Sequence, residues 1–262
     1  MNVTEFLQWF FTPEPLFVGQ RGFEAFGTAH LLTLAFCLVL IVLVVRGYAR
    51  LPRGGDADAV RQRRRYLQTL SLVPVALLAS RDVVIVVRGL MVPIFWPLHV
   101  CNLAEFTCVA FAFTPASRKR LRRLLGSVVF CWGLSGGAGA LLFPGWSYCP
   151  IWTYASLGGF AEHSLMFAFA ICMLFLHDFV PRLRDIWYPT VVSVAVGLFF
   201  LLVFNPAFDT NFFFVSRPLD MGTPFVQVYR AFGDPLWLAA YLAIAMGVWL
   251  LSYGIYRLIA RM

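Results

Sequence analysis

Four residues that could do chemistry lie close together in the segment 99–105. They are His99, Cys101, Asn102 and Glu105. On a helix that begins here, Cys101 and Glu105 lie one turn apart on the same face. A thiol near a helix amino terminus, with a histidine in reach, can lose its proton and become a nucleophile. The segment therefore predicts a nucleophilic cysteine, Cys101.

Two further polar pairs interrupt apolar stretches elsewhere in the chain. One is Glu162 with His163, and the other is Arg81 with Asp82. His163 is the predicted base for the thiol, because a histidine next to a nucleophile can accept its proton. Glu162, Glu105 or Asp209 would orient the imidazole ring, as the third member of such an arrangement.

The surroundings of these groups are apolar. The chain has 262 residues, of which 60% are hydrophobic and 13% charged. A soluble domain has roughly 45–50% apolar and about 25% charged residues. The apolar excess is spread over the whole length, which predicts a single integral membrane domain over residues 1–262, all-α and built as a helix bundle. We expect it in the cytoplasmic membrane of a bacterium.

Seven apolar segments are long enough to predict about seven transmembrane helices after an outer amino-terminal segment, 1–26. Proline and tryptophan residues in the connections favour turns at the membrane interface. The predicted spans are approximately 27–45, 67–90, 98–116, 124–143, 154–176, 186–204 and 235–255.

The net charge of +8 comes from basic residues whose placement indicates how the chain is oriented in the membrane. Most of the 21 Lys and Arg residues fall in alternate connections between apolar segments, as the positive-inside rule requires of cytoplasmic loops. This pattern predicts an outer amino terminus and a cytoplasmic carboxyl terminus. It also argues against nucleic acid as a partner, because the charge is not gathered into one basic surface.

With this orientation the polar residues collect near the outer ends of their segments. An ionisable group at the centre of a membrane helix costs about 2.5–3.5 kcal/mol, so such residues are expected to face a shared interior. We therefore expect one hydrated pocket that opens toward the outer leaflet. Its predicted members are His99, Cys101, Asn102, Glu105, Glu162, His163, Arg81, Asp82, Asp209 and Asn211.

Other interpretations of the same residues stay open. Arg81 and Asp82 could form a structural ion pair that locks helices together. Cys101 could pair with Cys149 as a disulfide on the oxidising outer side, or could serve as a small apolar packing residue. The six cysteines have no CxxC spacing, so the sequence predicts no metal site, and it predicts no cofactor.

Two short motifs resemble those of a known family. The run Trp96–Asn102 (WPLHVCN) is similar to the LPLHxC signature of the YwaF-type integral membrane family, and 208–214 (FDTNFFF), followed by Pro218, is similar to its NTNFxxL…P motif. Glu162 and His163 follow in the family's order. The sequence departs from the usual pattern at Trp96 and at Asp209.

The resemblance implies a function. The family includes an animal transmembrane acyltransferase that acts on lysophospholipids, and its fold is similar to that of the androgen-induced membrane hydrolases. By this resemblance Cys101 would carry a fatty acyl group as a thioester, with His163 as base. Asn102, Asn211 and Arg81 are then candidate donors to the oxyanion. Membrane phospholipids and lysophospholipids are the expected partners.

Two other classes of function compete with an acyltransferase. A transporter for a small polar solute or proton would also bury charged residues, but the sequence has no inverted repeat and no paired broken helices. A retinal photosensor needs a lysine within a span, and the sole lysine, Lys119, falls in a predicted cytoplasmic loop. The sequence therefore favours the acyltransferase and keeps the transporter as the alternative.

Overall fold

A computed structural model describes residues 2–175, 178–218, 224–233 and 236–259, and this part of the chain is all-α. Its helices are α1 (Val3–Phe10), α2 (Thr28–Ala49), α3 (Ala57–Val87), α4 (Val100–Phe113), α5 (Lys119–Leu142), α6 (Tyr154–Phe175), α7 (Leu183–Phe208), α8 (Pro224–Phe232) and α9 (Leu236–Ile259).

Six of these helices are long and apolar enough to cross a membrane: α2, α3, α5, α6, α7 and α9. The shortest of the six have 22 residues, which corresponds to ~33 Å of helix against the ~30 Å of a bilayer's hydrocarbon core. The prediction of an all-α integral membrane protein is confirmed. The remaining predicted span corresponds to α4, which is apolar but only 14 residues long, so the count of seven spans stays a prediction.

Most predicted bounds agree with the helices to within a few residues, and the largest difference is at α3. We predicted a cytoplasmic loop up to the start of a span at 67, but the helix begins at Ala57. The Asp56 side chain accepts a hydrogen bond from the Ala59 amide and so caps the new start. The arginine-rich stretch is therefore helical. The predicted bounds at 176 and 235 lie outside the described residues.

The short helix α4 ends among arginine side chains. Arg64 of α3 donates to the Phe113 carbonyl at 2.9 Å, and Arg122 of α5 donates to the carbonyls of Phe111 and Thr114 at 3.3 and 3.2 Å. These bonds satisfy carbonyls that a helix end leaves open, so α4 can stop before the predicted limit at 116.

The amino-terminal segment and the loop after the sixth predicted span are more ordered than predicted. The amino-terminal segment contains α1, whose first turn is capped reciprocally by Asn2 and Glu5. The long loop predicted after the sixth span contains the helix α8, and α7 continues to Phe208.

The helix α6 is the centre of the bundle and packs against α2, α3 and α5. Its contact with α5 is close because a Cβ on Gly137 would lie only 2.9 Å from the Phe167 Cβ. Most of α6 is buried, whereas α7 and α9 are buried over only a small part of their lengths. A large cavity lies between these two sides of the bundle.

Candidate functional site

The cavity has a volume of about 2050 Å³ and is mostly apolar. Its walls come from α3, α4, α5 and α6 on the packed side, from α7 and α9 on the other, and from the amino-terminal segment and the loop after α7. Seven of the ten predicted site residues line it: Arg81, His99, Cys101, Asn102, Glu162, His163 and Asn211. The described lining does not include Asp82, Glu105 or Asp209.

Cys101 lies in the first turn of α4, whose residue before the helix, His99, makes no side-chain cap. The first amide groups of a helix have no partner within it, so this turn presents donors and the positive end of the helix dipole toward the thiol. The sulfur faces α5, where a Cβ on Gly136 would lie 3.7 Å from Sγ.

All six cysteines are free thiols in this structure. Cys149 is fully buried and packs in a small apolar cluster with Phe17 and Ala155, whereas Cys101 packs against the main core. The disulfide between Cys101 and Cys149 that the sequence left open is therefore not formed here. Burial, with the Glu14 carboxylate nearby, raises the pKa of the Cys149 thiol.

His163 is buried on α6 and its ring orientation is fixed on two sides. Its Nδ1 lies 2.7 Å from the Gly159 carbonyl oxygen, and its ring stacks on Trp146 with centroids 5.0 Å apart. A carbonyl only accepts hydrogen bonds, so in the neutral ring Nδ1 carries the proton. The other nitrogen, Nε2, then has a free lone pair and can act as a base.

His30 is also buried on a membrane helix, but both of its ring nitrogens are engaged. Nδ1 accepts from the Phe26 amide and Nε2 lies 2.9 Å from the Leu141 carbonyl. The ring thus joins α2 to α5 and has no lone pair left for chemistry. The hydrogen-bond pattern separates a structural histidine from one that can take a proton.

Arg81 is the centre of an ion-pair cluster. Its guanidinium nitrogens lie 3.7 Å from Asp82, 3.7 Å from Glu162 and 4.0 Å from Glu14. The predicted pair of Arg81 with Asp82 is therefore present, but it is one of three contacts. The cluster ties α3 to α6 at the residue next to His163, and it also holds the amino-terminal segment.

Glu14 is a site residue that sequence reasoning missed. Tyr148, in the connection between α5 and α6, donates to the Glu14 carboxylate at 2.5 Å. Burial and this carboxylate raise the pKa of the Tyr148 hydroxyl, so it stays protonated and remains a donor. The available signal is an acidic residue between Pro13 and Pro15 in an apolar segment.

Glu105 is fully buried below Cys101 on α4, and neither of its carboxyl oxygens has a hydrogen-bond partner in the described part of the chain. It interacts electrostatically with Arg81 over a longer distance. It belongs to the charged interior behind the thiol and does not reach the cavity wall.

The second sequence motif forms a compact loop after α7. The buried Asn205 organises it: its Oδ1 accepts from the Phe212 amide at 2.9 Å and from the Thr210 hydroxyl at 3.0 Å. Phe213 and Phe214 have φ of 60° and 52°, which is strained for residues other than glycine. Sequence reasoning also missed Asn205, since this residue lies before the start of the motif whose loop it holds.

The two motifs meet at His99. Its ring lies between Phe212 and Phe214, with centroid distances of 4.7 and 5.3 Å. Asn211 lines the cavity, but its amide nitrogen donates to the Arg217 carbonyl at 2.9 Å and its Oδ1 accepts from the amides of Ser216 and Arg217. Asn211 thus holds the loop together, and the Arg81 guanidinium is engaged by three carboxylates, which leaves the Asn102 side chain as the remaining predicted oxyanion donor at the cavity.

Asp209 is exposed and lies outside the cavity lining. Its φ of 49° and ψ of 51° place it in the left-handed region at the end of α7. Aspartate and asparagine both tolerate this conformation better than most residues. The departure from the usual asparagine therefore keeps the local backbone, and the structure does not bring Asp209 together with His163.

Comparison with known proteins gives one result. The model of the TMEM164 family matches residues 25–253, which include every helix from α2 to α8 and most of α9. No curated protein and no solved structure matches the chain. Since the match extends over most of its length, the chain belongs to the TMEM164 family.

Proposed function

We propose that this member of the TMEM164 family is a membrane transacylase that moves an acyl chain between phospholipids through a thioester on Cys101. One observation carries the proposal. A free thiol in the first turn of α4 and a histidine with a fixed proton on Nδ1 line the same large, mostly apolar cavity.

In the first step the sulfur of Cys101 attacks the carbonyl carbon of an acyl ester in a donor phospholipid. Nε2 of His163 takes the thiol proton, and a carbon–sulfur bond forms. The bond from the carbonyl carbon to the ester oxygen then breaks. The leaving oxygen takes the proton from His163, so the products are a lysophospholipid and the acylated cysteine.

In the second step the hydroxyl of an acceptor lysophospholipid attacks the thioester carbonyl. His163 removes the hydroxyl proton and returns it to the sulfur as the carbon–sulfur bond breaks. The thiol and the histidine are restored. This two-step scheme needs no oxidant, reductant or metal, and both substrates are lipids that enter from the membrane.

Each step passes through a negatively charged oxygen that needs hydrogen-bond donors. The open amides in the first turn of α4 and the Asn102 side chain, which also lines the cavity, are suited to this role. Arg81 acts at a distance from the reacting atoms: by holding Glu162, it fixes α6 beside His163. Arg81 is a positioning residue in this scheme.

The cavity suits a lipid better than a solute pathway. Its charged residues belong to the amino-terminal segment, to α3 and α6 and to the loop after α7, while its far end, near Phe175 and Ile259, is mostly apolar. We place the cavity's polar end at the outer leaflet, with α4 as the seventh crossing, the amino terminus outside and the carboxyl terminus in the cytoplasm of a bacterium. A reporter that is active outside when fused after Met262 would refute this orientation.

The proposal also includes a relationship to two other groups of membrane proteins. The motif resemblance supports a link to the YwaF-type proteins and, at the level of fold, to the androgen-induced membrane hydrolases. If that link holds, the catalytic histidine is shared among them while the nucleophile differs.

The test is intact-mass spectrometry of purified protein incubated with phosphatidylcholine and a lysophospholipid, together with an assay of acyl transfer. Cys101→Ser should lose the adduct and the activity, and His163→Ala should lower the rate by about 10²–10⁴-fold, the usual contribution of a general base. Cys149→Ser is the matched control and should keep both. Full activity in Cys101→Ser would end the proposal.

A further inference from the structure

Four glycines in the segment 133–139 of α5 face two different neighbours. Gly133 and Gly137 lie four residues apart on one face, against α6. A Cβ on Gly133 would contact the Ala170 Cβ at 3.4 Å, and a Cβ on Gly137 would lie 3.1 Å from the His163 carbonyl oxygen. Helix packing therefore requires a glycine at 137, whereas a Cβ on Gly133 would make only ordinary contacts with α6.

Gly136 faces the thiol instead. A Cβ at this position would lie 3.7 Å from Cys101 Sγ and 3.8 Å from Met166 Cε, which are ordinary contact distances. A Cβ on Gly139, one turn away on the same face, would meet no atom of the described residues within 4 Å. Packing within the described residues therefore does not require a glycine on this face of α5, and the face borders the cavity.

Gly136 lies where an acyl group on the Cys101 sulfur must begin. The carbonyl carbon of a thioester is bonded directly to Sγ, and the following methylenes occupy the next few ångströms. An alanine at 136 would touch the sulfur, and a valine would take up the volume that those atoms need. A glycine leaves that volume empty without disturbing the contact between α5 and α6.

We propose that Gly136 is a specificity-determining residue that admits a long acyl chain to the sulfur, an inference that rests on the proposed transacylase function. From Gly136 the chain runs between α6 and α9 toward Phe175 and Ile259, which line the far end of the cavity. From His163 to Phe175 the helix rises ~18 Å. One leaflet contributes about half of the ~30 Å hydrocarbon core, so a membrane acyl chain fits along this path.

The experiment measures the space at the sulfur without relying on catalysis. Cys101 is labelled with methyl methanethiosulfonate, which adds only a methylthio group, and with a maleimide that carries a long alkyl tail. The background is Cys149→Ser, and adducts are located by mass spectrometry. The variants are Gly136→Ala and Gly136→Val, with Gly247→Val as the matched control, because Gly247 is exposed on α9 and outside the cavity lining.

We expect the small reagent to label all variants at rates within a few-fold of one another. The long-tailed reagent should label Gly136→Ala roughly tenfold more slowly than the parent, as overpacking penalties suggest, and Gly136→Val hardly at all. Gly247→Val should match the parent with both reagents. If Gly136→Val does not fold, the result for Gly136→Ala decides.

Two outcomes overturn the inference. One is a parent protein whose Cys101 does not accept the long tail, and the other is a Gly136 variant that accepts it as fast as the parent does. The proposed function fails separately. If the size selectivity is found but lipid never acylates Cys101, then Gly136 leaves space for a lipid chain beside the thiol, and the transacylase mechanism is wrong.

Discussion

The two sides of the bundle are built differently. In α6, 72% of the most apolar window is buried inside the protein, whereas in α9 the corresponding share is 6%. The thiol, the base and the ion-pair cluster all come from the packed side, on α3, α4 and α6. The loosely packed side contributes mainly apolar cavity wall. The polar groups of the candidate site thus lie where packing is dense, and the opposite wall of the cavity comes from helices that are buried over only a small part of their lengths.

Two tryptophans of α9 are buried against the rest of the protein. Trp237 and Trp249 are its buried residues within the described range, and they lie twelve positions apart, or ~18 Å along the helix. Trp237 donates to the Phe214 carbonyl and Trp249 to the Ser135 hydroxyl, both at 3.2 Å. Between these two tryptophans the helix borders the cavity.

The largest expected effect is on the packed side. Arg81→Leu leaves the Glu14 and Glu162 carboxylates without their cation, and removing one partner of a buried ion pair costs about 3–5 kcal/mol. We expect a large loss of thermal stability in detergent and a lower yield of folded protein. Arg88→Leu is the control, since Arg88 is exposed at the end of the same helix. Equal stability of the two variants would contradict the role of Arg81 in holding α3 to α6.

A smaller loss is expected at the contact between α5 and α6. Gly137→Ala places a Cβ 2.9 Å from the Phe167 Cβ, so one helix must move, and such overpacking costs about 1–3 kcal/mol. The Cβ of Gly139→Ala meets no atom within 4 Å in the described part of the chain, so this variant should be as stable as the parent or more stable, because alanine favours a helix. The test compares the thermal unfolding temperatures of the two variants, measured under the same conditions. The comparison fails if Gly139→Ala is the less stable one.

The loose side should respond less to a comparable change. Trp249→Phe keeps an aromatic ring but removes the hydrogen bond to Ser135, which is worth about 1 kcal/mol. Trp187→Phe is the control, because Trp187 is 69% exposed. A loss for Trp249→Phe as large as that for Arg81→Leu would mean that α9 is a structural element equal to the packed core.

The smallest expected effect concerns Cys149. Because its pKa is raised, little thiolate forms at pH 8, and the folded protein should react slowly with methyl methanethiosulfonate at this position. Reaction should become fast once detergent denatures the protein, which returns the thiol to its ordinary pKa. Rapid labelling of folded protein at Cys149 would show that the small apolar cluster with Phe17 and Ala155 is accessible to the reagent.

Sequence reasoning worked best where a local property decides the structure. An apolar run long enough to cross a membrane must become a helix in lipid, because its backbone hydrogen bonds have to be satisfied internally. The six long helices were therefore predictable, as was the approximate position of Cys101 at a helix start. The same local reasoning missed α1 and the early start of α3, since helices also form where a cap is present and no lipid is needed.

The sequence by itself determined an all-α membrane protein and the residue types available for chemistry. Only the tertiary structure decided which of them share a cavity. Glu14 reaches Tyr148 across 134 positions, and the bare face of Gly136 meets Cys101 from another helix. Asp209, although close to its motif partners in sequence, turns outward in a left-handed conformation. Such contacts depend on how helices approach and rotate against each other, and no spacing along one helix encodes them.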